Sequence, residues 1–545
     1  MIKNNHIFFS FLLPRSWTSL SAIVLSACGG SKSSELNQSI TVGFSNDYSP
    51  PEANFVEPNI VDPYFKKLEP SLVEPYWTSA LEMNNANRVI DEILNNQRLI
   101  KFSFPEQPPS YLPITILGWV PANQQMIAAS KEIFSQLEKV LNIELEQVDT
   151  VNGINNVVIS QSIQGETSGF SYFPNTYYEL GSDIFISKDY SNPSTFPNGL
   201  TNYDYEVLLH EIGHALGLKH PFEADSVNTT ILNDYEDQTK FTAMSYNNNS
   251  DTFDGTYRPL DWMTLTKLYG VASTFNSDNN EYSFNDLTGT FIIDANGIDI
   301  INASTSMSDI YLDLRSGMQS YEGQKSNFVT AANQLTISHG SDIENITTGF
   351  GDDTIVGNHL SNLIISGSGH DAIFGGEGSD IIYPGSGQDA VDLSEAVQAQ
   401  DRLVIERANG HENFVTVYGF SQGISGDILD ISDFEFSTLT VLPIVNFSNV
   451  PFGYIDNCIL TVFGLGLNSE KSVQTYFGNS DNLGKFKLSS EKNALMITSN
   501  SQNTGENQNI YSLSEDLGSI EVQHLAQIVG NYLDIDNWSI NNFLV

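Results

Sequence analysis

The sequence is poor in cysteine, in basic side chains and in histidine. Two cysteines in 545 residues, Cys28 and Cys458, cannot build a disulfide framework or a cysteine zinc site. Lysine and arginine number 23 against 66 aspartates and glutamates, a formal net charge of -43. That balance excludes nucleic acid as a partner, because a polyanion is bound by clustered basic groups. Charged residues make up only 16% of the chain, so Ser, Asn, Thr and Gly carry much of the solvation. The apolar stretch near the amino terminus is shorter than the about 20 residues a membrane-spanning helix needs. What is present suffices for folded bodies: 40% of residues are hydrophobic and 11% aromatic. At roughly 100–200 residues per domain, the length suggests about three domains.

Residues 1–27 read as an export signal. Lys3 and Arg15 are basic, Ser16–Ala27 is moderately apolar, and small residues precede Cys28. Leu25-Ser26-Ala27-Cys28, followed by Gly29-Gly30-Ser31, resembles a bacterial lipoprotein signal. That resemblance implies a removed signal peptide, lipidation at Cys28 and a membrane anchor, on the outer membrane of a Gram-negative bacterium. An ordinary cleaved signal with an incidental cysteine is the other reading. Residues 28–76 hold Pro50, Pro51, Pro58, Pro63, Pro70 and Pro75 without periodicity, as an extended tether would. Tyr76–Gln97 is helix-like, and Leu99–Phe104 is strand-like before Pro105.

Residues 205–220 read YEVLLHEIGHALGLKH and contain His210-Glu211-x-x-His214-x-x-Gly217-x-x-His220. At about 100° per residue, His214 falls about 40° from His210, while Leu208, Leu209, Ile212 and Ala215 occupy the opposite arc. One helix face is core and the other offers two imidazoles one turn apart, as zinc requires. Gly217 lets the chain turn sharply, so that His220 returns as a third ligand. Three protein ligands leave a coordination position for water, and Glu211 is placed to take its proton and pass it to a leaving amine.

This stretch resembles the metzincin metalloproteases, whose extended motif is followed by a methionine turn, here Phe241-Thr-Ala-Met244-Ser245-Tyr246. The resemblance implies that Met244 packs beneath the zinc and that Tyr246 ligates it or stabilises the oxyanion. It narrows to the serralysin-like branch through GFSYFPNTYYELGSDIFIS before the helix, His220-Pro221 after it, and the segment from Arg258 through Asp261 to Gly270. In that family an edge strand above the zinc helix pairs with an extended substrate, and GSDIFIS or its neighbour is the candidate.

Residues 348–392 divide into five nine-residue units, TGFGDDTIV, GNHLSNLII, SGSGHDAIF, GGEGSDIIY and PGSGQDAVD. Their sixth positions are Asp353, Asn362, Asp371, Asp380 and Asp389, the register of calcium-binding parallel β-rolls. Two units complete a turn, so residues 18 apart stack. Aspartates supply hard oxygen ligands, and the apolar seventh to ninth positions make a short inward-facing strand. The segment has Asp352, Asp353, Asp371, Glu377, Asp380, Asp389 and Asp392 but no lysine or arginine, so its folding should depend on calcium. Asn362 lacks its neighbours' charge and Pro384 replaces a glycine, which suggests two or three good sites.

The expected architecture is an α+β metzincin catalytic domain (77–274) followed by an all-β parallel β-roll or β-sandwich calcium-binding domain (275–434). Residues 435–545 have no assigned role. The function this implies is a zinc-dependent endopeptidase stabilised by calcium, acting outside the cell on proteins or peptides, with Glu211 and Tyr246 catalytic. The rival reading is a calcium-dependent surface adhesion or envelope protein with a degenerate protease domain.

Overall fold

The computed structural model describes residues 75–95, 97–149, 156–165, 167–188, 202–224, 227–247, 255–407, 414–422 and 425–434. It adds the strand Leu25–Cys28 and, after 434, strands and short segments up to 544. The rest of the expected signal and tether lies outside the described residues. The chain forms two compact units, Ser71–Phe275 with Ser338–Gly340, and Asn276–Ile337 with Ser341–Val545. Among the described residues no helix is long and apolar enough to cross a membrane.

The first unit mixes helices with one sheet. Its strands are β1 (Leu25–Cys28), β2 (Leu99–Ser103), β3 (Val120–Pro121), β4 (Glu144–Gln147), β5 (Asn156–Ser162), β6 (Gly169–Tyr172) and β7 (Asp183–Ser187). The order is β1-β6-β7-β5-β2-β4, with β3 paired to β5. β5 and β7 are buried at every residue, as interior strands covered on both faces must be. Among the described residues five helices complete the unit: α1 (Tyr76–Leu81), α2 (Ala86–Leu94), α3 (Gln124–Val140), α4 (Asn202–Ala215) and α5 (Pro259–Tyr269).

The helix expected over Tyr76–Gln97 is two helices: the chain turns extended at Glu82, which ends the first, and Asn85, with a left-handed φ of 55°, leads into the second. The break has a use. Between the helices the extended segment Leu81–Met83 pairs with the chain that leaves α4: Lys219 N donates to Leu81 O at 2.7 Å and Met83 N to Gly217 O at 2.9 Å. α5 begins with Pro259 at its first position, and the Asp261 carboxylate accepts from Arg258 N at 2.9 Å.

The second unit has large parallel sheets, consistent with a β-roll. Strands Thr354–Val356, Ala372–Phe374 and Gln388–Asp392 stack in one sheet, and Leu363–Ile365 with Ile381–Tyr383 in the other. Thr354 pairs with Ala372 and Leu363 with Ile381, the 18-residue step of the two-unit turn. The eighth residue of each unit, Ile355, Ile364, Ile373, Ile382 or Val391, is fully buried between the sheets. Residues after 435 continue both sheets: Ser519–Val529 pairs with Phe414–Tyr418, and Phe543–Leu544 with Ile428–Asp430. Leu495, Ile497, Ile510, Leu525 and Phe543 share the roll's core.

Candidate metal centre

α4 carries His210 and His214 one turn apart while burying Leu208, Leu209 and Ile212. Beyond Ala215 the chain reverses at Gly217, whose φ of 100° suits a residue without Cβ, and Leu218 N donates to Gly213 O at 2.9 Å. Held there by Leu81–Met83, the segment returns His220 to the helix. All three histidines are buried.

Their protonation follows from their partners. His210 Nδ1 lies 2.8 Å from Ala243 O, and His214 Nδ1 lies 2.7 Å from Leu218 O. A carbonyl only accepts, so each Nδ1 carries the proton and each Nε2 is left as an acceptor. His220 Nδ1 faces a carboxylate oxygen, Glu223 Oε2, at 3.1 Å. His220 Nε2 is 3.1 Å from Nε2 of both His210 and His214. Lone pairs so close repel unless a cation lies between them. A tetrahedral zinc with Zn–N near 2.0–2.1 Å sets its nitrogens about 3.3 Å apart, so the residues present fit that ion. Burial, reinforced by the His220 ring, pushes His210 down to about 3 and His214 well below its usual value, which keeps both neutral, as ligands must be.

The expected neighbours converge on this point. The Tyr246 hydroxyl lies 2.8 Å from His220 Nε2, on a half-exposed ring. Met244 is fully buried below, and a Cβ at Gly213 would stand 2.8 Å from its sulfur. Sequence reasoning missed what holds this turn. The Asp261 carboxylate, fully buried, accepts from Thr242 Oγ1 at 2.6 Å and from Ala243 N at 2.7 Å, and Ala243 O in turn receives His210. Arg258 ties the same helix start to Glu206 of α4 at 2.8 Å.

Glu211 turns toward the sheet. A Cβ at Gly169 would meet its Cγ and Oε1 at 3.0 Å, so the backbone of β6 passes against the carboxylate. GSDIFIS forms β7, which is interior; its neighbour β6 has its outer side paired only by β1, antiparallel, with Cys28 opposite Gly169. β6 therefore lies between β7 and the edge strand β1, beside Glu211.

In the second unit the repeat aspartates form two ladders. Asp353 Oδ1 receives Ile310 N, Asp371 Oδ1 receives Asp353 N, and Asp389 Oδ1 receives Asp371 N, at 2.8–3.1 Å. Asp380 stands in the opposite ladder, where its Oδ1 accepts from Asn362 N at 2.8 Å. The second oxygen, Oδ2, of Asp353, Asp371, Asp380 and Asp389 is buried without a hydrogen-bond donor. Such an oxygen is costly to bury bare, and a hard cation satisfies it. Burial first, then hydrogen bonds and neighbouring charges, leave these four carboxyls pushed up to about 7. Asn362 differs: its amide donates to Glu344 O and Asn358 Oδ1, so that rung satisfies itself.

Three further rungs escaped the nine-residue register. Asp401 Oδ1 accepts from Asp380 N and Asp427 Oδ1 from Asp401 N, at 2.9 and 3.0 Å. Before the repeats, Glu344 Oε2 accepts from Asp299 N at 2.7 Å. Beside it, Asp294 Oδ1 and Asp299 Oδ2 are also buried without a donor. The available signal was an acidic residue directly before a short apolar strand, as in Asp299-Ile300-Ile301 and Asp427-Ile428-Leu429.

The family described as the RTX calcium-binding nonapeptide repeat matches residues 360–391, which include Asp371, Asp380 and Asp389. The chain is similar to serralysins. That of Photorhabdus laumondii subsp. laumondii is 28% identical over 302 residues, 49% of this chain and 60% of the relative. That of Proteus mirabilis is 33% identical over 228 residues, 37% and 45% of the two chains. Metallopeptidase AprA of Pseudomonas marginalis is 29% identical over 230 residues, 37% and 47%. The chain thus spans 45–60% of the length of these relatives. Zinc and calcium are the cofactors that this likeness and the repeat family give the chain.

Proposed function

We propose that the chain is a zinc-dependent endopeptidase of serralysin type, calcium-stabilised, that hydrolyses peptide bonds in extracellular proteins. The observation that carries this is the convergence of three histidine Nε2 atoms beside Glu211 and β6, a strand whose outer side is covered by Leu25–Cys28 of the expected signal. Zinc held by His210, His214 and His220 would supply Lewis acidity and a water of lowered pKa, near 7. β6 receives the substrate backbone antiparallel in place of Leu25–Cys28, and the missing side chain at Gly169 lets that backbone pass close to the Glu211 carboxylate. Glu211 takes the water's proton and passes it to the leaving amine. Tyr246 donates its hydroxyl to the developing oxyanion.

In this reading residues 77–274 are a metzincin catalytic domain of α+β type and 275–434 a roll whose calcium ligands include Asp353, Asp371, Asp380 and Asp389. Residues 1–27 are a lipoprotein-type signal, 28–76 a tether, and Cys28 the lipidated anchor that places the protease on the outer membrane, facing outward. Hydrolysis of casein, measured before and after a zinc-selective chelator with calcium kept saturating, tests the proposal. Loss on chelation and recovery on adding zinc is expected; hydrolysis indifferent to zinc, or absent throughout, would contradict it.

A further inference from the structure

The three ligand histidines are not held alike. His210 and His214 each give their Nδ1 proton to a backbone carbonyl, whereas His220 faces the carboxylate of Glu223 at 3.1 Å. Of the three partners it is the one that is a side chain and the one that is an acid. The turn that presents it is well fixed. Pro221 sets the backbone after His220, and Glu223 N returns to His220 O at 3.3 Å. The buried Lys219 ammonium donates to Glu223 O at 2.8 Å and to Thr230 O at 3.1 Å. Phe222 stacks on the imidazole, with ring centres 5.0 Å apart and planes 8° from parallel.

We propose that Glu223 is a positioning residue for the metal: its carboxylate fixes the Nδ1–H tautomer of His220, aims Nε2 at the point shared with His210 and His214, and strengthens that nitrogen as a donor. A carboxylate polarises an imidazole N–H more than an amide carbonyl does, so His220 becomes the most electron-rich of the three ligands. Glu223 also sets the ring that Tyr246 approaches, since that hydroxyl lies 2.8 Å from His220 Nε2. His220 is the ligand outside α4, delivered by a turn rather than a helix. It is the one that most needs an external fix.

The inference rests on the zinc reading, and its test separates the two. Zinc alone is titrated into metal-free full chain against a competing chelator, with calcium saturating, for wild type, Glu223→Gln and Glu223→Ala. Melting of each metal-free protein is recorded alongside. Removal of such a partner costs about 10–100-fold in metal affinity, so Glu223→Ala should lose that much. Glu223→Gln, which keeps the shape and an acceptor but not the charge, should fall between it and wild type, with metal-free melting unchanged. Substituted with cobalt(II), Glu223→Ala should show a shifted visible spectrum although all three histidines remain. Affinities of Glu223→Gln within twofold of wild type would overturn the inference, whatever Glu223→Ala does, because the carboxylate would then add nothing to an ordinary acceptor. Absence of zinc binding by wild type would instead overturn the zinc reading itself.

Discussion

The histidine centre and the aspartate ladders both offer donor atoms suited to a cation, but they do so by opposite routes. The centre gathers three rings, each oriented by an acceptor already in place, and ties them through Asp261 and Arg258 to a helix about 50 residues away in sequence. The ladders repeat one local device, an aspartate capping the backbone N–H a turn below, and stack buried carboxylates whose second oxygens have no donor. Neutral ligands can be preorganised without their metal, because lone pairs without net charge repel far less than like ions do. Stacked acids cannot. The first unit should therefore lose catalysis when its metal leaves, and the second should lose its fold.

Calcium removal is the sharpest way to break this contrast. Stripping calcium at pH 8 should unfold the second unit, seen as loss of parallel β signal by circular dichroism, while the first keeps its helices. The effect should depend on pH. Asp353, Asp371, Asp380 and Asp389 titrate near 7 in the folded chain instead of near 3.8. Between those values the folded state binds more protons than the unfolded one. Calcium-free stability is then fully present below about 4 and lost as pH rises through about 7. Calcium needs the deprotonated form, so its stabilising effect grows over the same window.

A smaller effect is expected from Asp261→Ala, which strands Thr242 Oγ1, Ala243 N and Arg258 N in a buried place. It should cost about 3–5 kcal/mol in the first unit by denaturant unfolding and weaken zinc binding through His210. The smallest is Asn362→Asp, which puts a carboxylate on a rung that now satisfies itself without charge. It should destabilise the calcium-free second unit by about 1–3 kcal/mol and raise the calcium midpoint, with the first unit's melting unmoved.

What could be read from the sequence follows the same division. The histidine spacing, the turn at Gly217 and the 18-residue stacking of Asp353, Asp371 and Asp389 are local or periodic, so a single stretch of chain reveals them. Asp261 was visible only as part of a familiar segment, because its partners Thr242 and Ala243 lie 18–19 residues back and across a turn. Asp401 and Asp427 fell outside the register because loops lengthen their steps to 21 and 26 residues. The break between Glu82 and Asn85 was hidden because helix periodicity continues across it. Tertiary pairing with Gly217 and Lys219, not local preference, decides that segment. The place of β6, one strand in from the edge, is likewise a property of the sheet order, which no strand's own residues encode.

The central claim is that His210, His214 and His220 hold a catalytic zinc for which Glu211 is the proton carrier. The most direct measurement is metal content together with casein hydrolysis in wild type and Glu211→Ala, both calcium-saturated. One zinc per chain in each protein is predicted, with hydrolysis reduced by about 10²–10⁴-fold or more in the variant. Undiminished hydrolysis by Glu211→Ala, or wild-type hydrolysis without bound zinc, would contradict it.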